Sequence, residues 1–276
     1  MAENTTTKRW GMVIDLDRCI GCWTCAVACK SNNNVPIGMW WNRILTIGDD
    51  TTSDIDVPEG IYPDLRMVHM PYACFHCDKA PCVQVCPTGA TYRREDGIVM
   101  MDYERCIGCR YCLVACPYNN RVFNWETPQQ MPANEADFHV GDQRKRSPRP
   151  KGVAEKCDFC FQRVDNGEQP FCIEVCPARA RFFGDLNDPQ SDVATLVREK
   201  PTFRIREDLG TEPSVYFITP ASGGTVTAPL GQNPERRKLS GTVVAESAAW
   251  DGHAPSIDRR AVARAKPKPV ATGGGL

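Results

Sequence analysis

The sequence predicts an α+β fold made of two interlocked units related by a pseudo-twofold duplication, with loop insertions and an extended C-terminal tail. Three observations carry that prediction. All 16 cysteines of the 276-residue chain fall into four groups. The groups repeat in alternation, and an internal repeat takes precedence over every other fold argument. The apolar runs beside the groups are short and bounded by turn residues, the mark of strands rather than long helices.

The first group is Cys19, Cys22, Cys25 and Cys29, preceded by "GMVID", which reads as a strand. The second is Cys74, Cys77, Cys82 and Cys86; its last segment, "CVQVC", reads as a short helical turn stopped by Pro87. "ATYRR" and "GIVMMD" flank Asp96-Gly97 and predict a hairpin. The third group is Cys106, Cys109, Cys112 and Cys116, with Pro117 next. The fourth is Cys157, Cys160, Cys172 and Cys176, followed by "RARFFGD", a further strand. Residues 15–29 and 102–116 are identical at 10 of 15 positions, and "PCVQVCPTGA" resembles "PFCIEVCPARA". Groups one and three are therefore one type, and two and four the other.

Gap lengths divide the units. Between Cys86 and Cys106 lie 19 residues, enough for a hairpin, against 44 between Cys29 and Cys74 and 40 between Cys116 and Cys157. Groups two and three thus form an inner unit, 68–125. Groups one and four form an outer one, 11–30 plus 153–184. Residues 31–67 and 126–152 read as insertions, 185–221 as a C-terminal extension of the core, and 222–276 as a low-complexity tail rich in Gly, Pro, Ala, Ser and Thr. The basic run "RKRSPRPK" (144–151) lacks interleaved aromatics and reads as a solvated loop.

A net charge of −1 gives no global attraction to nucleic acid or to anionic membranes. No segment approaches the roughly 18 apolar residues of a membrane span. The first 19 residues hold no apolar stretch of a removable signal, and Lys8-Arg9 is not a twin arginine. These features predict a cytoplasmic chain, or a periplasmic one exported with a partner.

Clustered thiolates select soft metals. Structural zinc sites pair two C-x2-C knuckles and do not need three cysteines at two-residue gaps followed by a fourth and proline. The run C-x2-C-x2-C-x3-C-P is that of bacterial ferredoxins, in which the fourth cysteine ligates the neighbouring 4Fe–4S cluster. Both units are accordingly ferredoxin-like, and the rule predicts four clusters. Cluster A takes Cys19, Cys22, Cys25 and Cys176. Cluster B takes Cys157, Cys160, Cys172 and Cys29. Cluster C takes Cys74, Cys77, Cys82 and Cys116. Cluster D takes Cys106, Cys109, Cys112 and Cys86. Two departures stand out: Lys30, not proline, follows Cys29, and an 11-residue loop separates Cys160 from Cys172. His76 reads as a surface or packing residue because the cysteines already satisfy four cubanes. Arg110 and Tyr111 read as partner contacts or cluster cover, and Trp40 and Trp41 as packing of the first insertion or interface residues.

The order of the four groups, with "CIGCRYCLVACPY", "EKCDFC" and "GDLNDPQSDV", resembles the iron–sulfur electron-transfer subunits of the molybdopterin oxidoreductases, such as dimethyl sulfoxide and polysulfide reductases. The resemblance spans about residues 11–220. It implies a non-catalytic subunit of anaerobic respiration that relays electrons between a molybdopterin (Mo or W) catalytic subunit and an integral-membrane quinone-interacting subunit, itself peripheral to the membrane. In nitrate-reductase-type relatives a tryptophan replaces the second cysteine of group three and a three-iron cluster results. Cys109 stands at that position, so four four-iron clusters are expected. Two other settings share the pattern: a soluble transhydroxylase-like molybdenum enzyme, and a hydrogenase or formate dehydrogenase complex.

Overall fold

The computed structural model describes residues 8–47, 62–63, 67–127 and 150–220. The predicted strand before group one is β1 (Trp10–Asp15), buried over its four central residues. It runs second in a four-stranded sheet with β8 (Arg181–Asp185) on one side and β10 (Val215–Ile218), then β9 (Thr202–Phe203), on the other. β8 pairs antiparallel with β1, setting Arg181 opposite Ile14, and β10 pairs parallel with it, setting Met12 opposite Val215.

Side chains alternate across this sheet as the pleat requires. Met12, Ile14, Phe183, Val215 and Phe217 face the core that holds the cysteines. Val13 and Ile218 face away, onto Val193 of helix α6 (Asp192–Glu199). "GDLNDPQSDV" builds the start of that helix: the Ser191 hydroxyl accepts from the Ala194 N–H at 3.2 Å, Asp192 lies in the first turn and Arg198 in the last. Both charges oppose the helix dipole favourably.

Three two-stranded pieces complete the described residues. β4 (Thr91–Arg93) and β5 (Val99–Met101) form the predicted hairpin, and Gly97 takes φ +88° at its turn. β2 (Asn42–Ile47) pairs antiparallel with β3 (Val68–Ala73), so the segment read as a first insertion contributes a regular strand. β6 (Val122–Phe123) pairs with β7 (Ala154–Glu155). The second insertion lies almost wholly outside the described residues, as does the tail from 222.

The helices are short and sit on the cysteine groups. α1 (Thr24–Asn32) packs against α5 (Phe171–Glu174), and α2 (Pro81–Gln84) against α3 (Tyr111–Ala115). α1 and α3 occupy matching positions of the repeat but differ in length, 9 residues against 5. Pro117 bars the helical conformation from the residue before it, and Cys116 is extended at φ −78°, ψ 109°. Lys30 imposes no such stop, so α1 runs on through Cys29. The long loop of group four is not irregular: Phe161–Asp165 forms helix α4, Gly167 turns at φ +78°, and Arg163 pairs with both Glu168 and Glu174.

Candidate iron–sulfur centres

Two cavities open between the cysteine groups. One is walled by Cys29, Cys157, Cys160 and Cys172, with Cys74 also in its lining. The other is walled by Cys19, Cys22, Cys25 and Cys176. Each brings three cysteines of one group together with the last cysteine of another. Among the described residues no three His, Cys, Asp or Glu side chains converge on a single-ion point. Four cysteines lining one cavity offer the all-thiolate donor set that soft metals and iron–sulfur clusters take.

Electrostatics shows which sulfurs are neighbours elsewhere. Burial pushes the Cys77 thiol up to about 12, and Cys74, Cys116 and Cys82 add to the shift. Burial raises Cys112 too, against the pull of Arg121, with Cys82 and Cys106 as its thiolate neighbours. Cys157 lies well above the ordinary thiol value through burial first, then Asp158, Cys172, Cys160 and Cys74. Cys29 behaves alike through burial, Cys157, Cys160 and Cys172. A thiol that resists ionisation in a dry pocket is deprotonated only by what it coordinates.

The exposure of the sulfurs is graded. Cys29, Cys157, Cys160 and Cys172 are all buried, whereas Cys22 and Cys109, at matching positions of the repeat, are exposed.

Short-range devices shape the loops. Asp15 Oδ1 accepts from the N–H groups of Asp17 and Arg18 at 3.0 and 3.3 Å. Asp102 Oδ1 repeats this with Glu104 and Arg105 at 3.0 and 3.2 Å. These Asx turns aim the chain into "CIGC" and explain why the aspartate recurs in the repeat. Gly21 and Gly108 follow at φ +68° and +71°. A Cβ on Gly21 would stand 2.7 Å from the His69 ring, and one on Gly108 would strike the Gly152 carbonyl. The small residues thus answer to backbone conformation and to these neighbours. Gly108→Ala is expected to cost more stability than Gly89→Ala. Both meet the left-handed penalty of about 1–2 kcal/mol, but nothing lies within 4 Å of a Cβ at Gly89. Thermal denaturation of the two variants checks the difference.

Several polar residues around the sulfurs carry no signal of their role in the sequence. The N–H groups of Thr91 and Ala180 donate to Cys86 and Cys176 Sγ, each at 3.4 Å. Asn33 Nδ2 reaches Cys29 Sγ at 3.6 Å and Asn32 Nδ2 reaches Cys160 Sγ at 3.7 Å. Both asparagines are buried, Asn32 at the end of the α1 extension that Lys30 permits and Asn33 as its cap. Such hydrogen bonds to sulfur tune a cluster's potential. Three basic side chains are buried as well: Arg121, Lys156 and Arg181, at 5%, 2% and 4% exposure.

His76 is a packing residue. It is fully buried, its ring stacks on Phe159 at 3.6 Å, and its Nδ1 accepts from the Val99 N–H at 3.1 Å. Burial, then Lys156, hold its pKa well below the ordinary value, so the ring is neutral. Trp41 is buried in the core, while Trp40 meets Trp23 edge-on at 5.7 Å beneath the Lys30 ammonium. Arg110 lies over Trp125 at 4.4 Å, and Tyr111 is exposed.

Comparison with known proteins agrees with this chemistry. Residues 65–133 and 143–186 match the 4Fe–4S dicluster domain, and residues 12–32 the 4Fe–4S binding domain. The chain is 50% identical over 215 residues to an iron–sulfur subunit assigned to a dimethyl sulfoxide reductase of Halobacterium salinarum, covering 76% of this chain and 78% of that one. It is 42% identical over 220 residues to a selenate reductase subunit of Mesobacillus selenatarsenatis, covering 76% and 72%. It is 37% identical over 235 residues to the iron–sulfur cluster-binding subunit of a menaquinone reductase of Nitratidesulfovibrio vulgaris, covering 76% and 89%. The chain belongs to the family of iron–sulfur electron-transfer subunits of the molybdopterin oxidoreductases, the non-catalytic members of their complexes.

Proposed function

We propose that the chain is a four-cluster electron relay between a molybdopterin catalytic subunit and a quinone-reactive membrane subunit, with the clusters ordered D, C, B, A. In this reading Cys106, Cys109, Cys112 and Cys86 hold cluster D, and Cys74, Cys77, Cys82 and Cys116 hold cluster C. Cys157, Cys160, Cys172 and Cys29 hold cluster B, and Cys19, Cys22, Cys25 and Cys176 hold cluster A. A 4Fe–4S cluster supplies a one-electron carrier with no general acid or base required. The protein's own task is to hold the sulfurs, exclude water between them and set their electrostatics.

The observation that carries the reading is the graded exposure: all four sulfurs assigned to cluster B are buried, two of cluster C, and one each of clusters A and D, the two ends of the proposed row, which also hold the exposed Cys22 and Cys109. The couplings of Cys157 with Cys74 and of Cys172 with Cys25 support contact between neighbouring sites along the row. The pairing of β8 with β1 and of β4 with β5 supports two ferredoxin-like units, each joining one motif of either type. At the extremes, exposed apolar side chains surround the cysteines: Ile20, Trp23 and Val27 at one, Ile107, Tyr111 and Val114 at the other. Apolar patches next to an electron's exit points are where partner subunits dock. No helix among the described residues is long and apolar enough to cross a membrane, so membrane association through a partner fits.

The test is chemical analysis and electron paramagnetic resonance of the full chain purified without oxygen. About sixteen iron atoms and as many acid-labile sulfides per chain are expected, four for each cubane. A stoichiometric three-iron signal, or iron sufficient for only two clusters, would refute the count. Co-purification with a quinone-reactive membrane subunit tests the partners, and recovery with a soluble catalytic subunit alone would overturn the relay to quinone.

A further inference from the structure

Buried cations are rare unless they answer a buried anion. Arg121 and Arg181 each follow the last cysteine of a group by five residues, in "CPYNNR" and "CPARAR". Arg181 donates through Nη2 to Asn42 Oδ1 at 3.0 Å and rests Nη1 near Met12 Sδ at 3.9 Å. Arg121 Nη1 lies 3.3 Å from Thr91 Oγ1 and 3.1 Å from Met101 Sδ. No carboxylate partner accompanies either guanidinium among the ion pairs of the described residues. Nε and Nη2 of Arg121 are buried and meet no oxygen or nitrogen acceptor.

These groups contact cysteine sulfurs instead. Arg121 hydrogen-bonds the sulfurs of Cys82 and Cys112. Arg181 hydrogen-bonds that of Cys172 and lines both cavities, the one walled by Cys157, Cys160 and Cys172 and the one walled by Cys19, Cys22, Cys25 and Cys176. Arg121 is thus shared by sulfurs assigned to clusters C and D, and Arg181 by those of A and B. The third cation falls between. Lys156 Nζ donates to the carbonyls of Val99 and Cys157, and the Val99 N–H donates to Nδ1 of His76, which stands between Cys74 and Cys77. It therefore touches a residue of cluster B and faces the motif of cluster C.

We propose that Arg121, Lys156 and Arg181 are counter-cations built into the three junctions D–C, C–B and B–A, where they raise the reduction potentials of the clusters on either side. This rests on the ligand sets proposed above. A four-thiolate cluster is anionic and gains one negative charge when it takes an electron. A fixed cation a few ångströms away in a dry interior favours the reduced form more than the oxidised one. Because each cation is shared, its removal lowers two potentials and spares the other two.

Redox titration of the full cluster-loaded chain, followed by electron paramagnetic resonance, tests this, with signals assigned by single cysteine-to-serine variants. Arg181→Met is expected to shift clusters A and B, Arg121→Met clusters C and D, and Lys156→Met clusters B and C. Each shift should be negative and at least tenfold in the reduced-to-oxidised ratio at fixed potential, which is about 59 mV for a one-electron couple. Unchanged potentials at full iron content, or a uniform shift of all four clusters in every variant, would overturn the proposal. If a methionine variant loses iron, Arg181→Lys and Arg121→Lys decide. Retained iron and near-wild-type potentials are expected because the charge is kept, and loss of iron or an equally large shift in these variants would show that charge is not the site's requirement. Iron analysis of the unaltered chain reports separately on the ligand sets, so their failure is not mistaken for failure of the cations.

Discussion

Replacing Cys116 with serine is expected to damage the cluster of Cys74, Cys77 and Cys82 and to leave that of Cys106, Cys109 and Cys112 spectroscopically intact. The four cysteines of "CIGCRYCLVAC" are consecutive in sequence and suggest a single site. On the ligand sets proposed above they divide, and the physical reason is Pro117. It ends α3 at Ala115 and forces Cys116 into an extended conformation, off the helix that carries Cys112. In that position Cys116 is raised by burial, and the thiolates acting on it are Cys74 and Cys82. The expected signature is the loss of up to about four irons per chain, or conversion to a cluster of altered coordination. The altered spectrum should match that of Cys74→Ser and differ from that of Cys106→Ser. A match to Cys106→Ser instead would sink the exchange of the fourth ligand.

Phe159→Ala is expected to be the most destabilising apolar truncation. Phe159 is 1% exposed and walls the cavity of Cys29, Cys157, Cys160 and Cys172. It stacks on His76 and meets Phe183 edge-on at 5.3 Å. Truncating a buried phenylalanine costs about 3–5 kcal/mol, a fall in melting temperature on the order of 10 °C for a chain of this size. Phe159→Leu, which keeps most of the volume, should lose far less. The alanine variant should also admit water to the most buried set of sulfurs, so cluster loss in air should be faster. Anaerobic thermal scans and the decay of the brown absorption band measure the two effects. Equal melting temperatures for the Ala and Leu variants would show that the ring's packing is not what holds this junction.

Local features of the fold are legible in the sequence because local physics sets them. The cysteine spacing, the strands before groups one and three, and the Asp96-Gly97 hairpin each follow from a few adjacent residues. What the sequence does not disclose is non-local. β10 enters the sheet beside β1 from about 200 residues away, in parallel, and no turn chemistry announces a pairing at that separation. β2 hides in a segment whose polar start and acidic, Thr-rich end resemble a loop. Arg121, Lys156 and Arg181 escape a sequence reading because basic residues are exposed by default, and the fold buries all three. Asn32 and Asn33, at the end and cap of α1, escape it for a subtler reason: a helix that outruns its repeat partner by one missing proline carries them into the core.

The ring stack of His76 on Phe159 has a consequence for direction. Each residue stands immediately before the second cysteine of its group, in "CFHC" and "CDFC", and each has a positive φ, 44° and 55°. Corresponding positions of a repeated scaffold therefore meet face to face. A scaffold whose halves were identical would be energetically indifferent to which end received the electron. Any downhill slope must be written where the halves disagree: imidazole against phenyl here, Lys30 against Pro117, Arg181 against Thr91. In the relay proposed above, the backbone repeat would lay out the track and the mismatched side chains would give it a gradient.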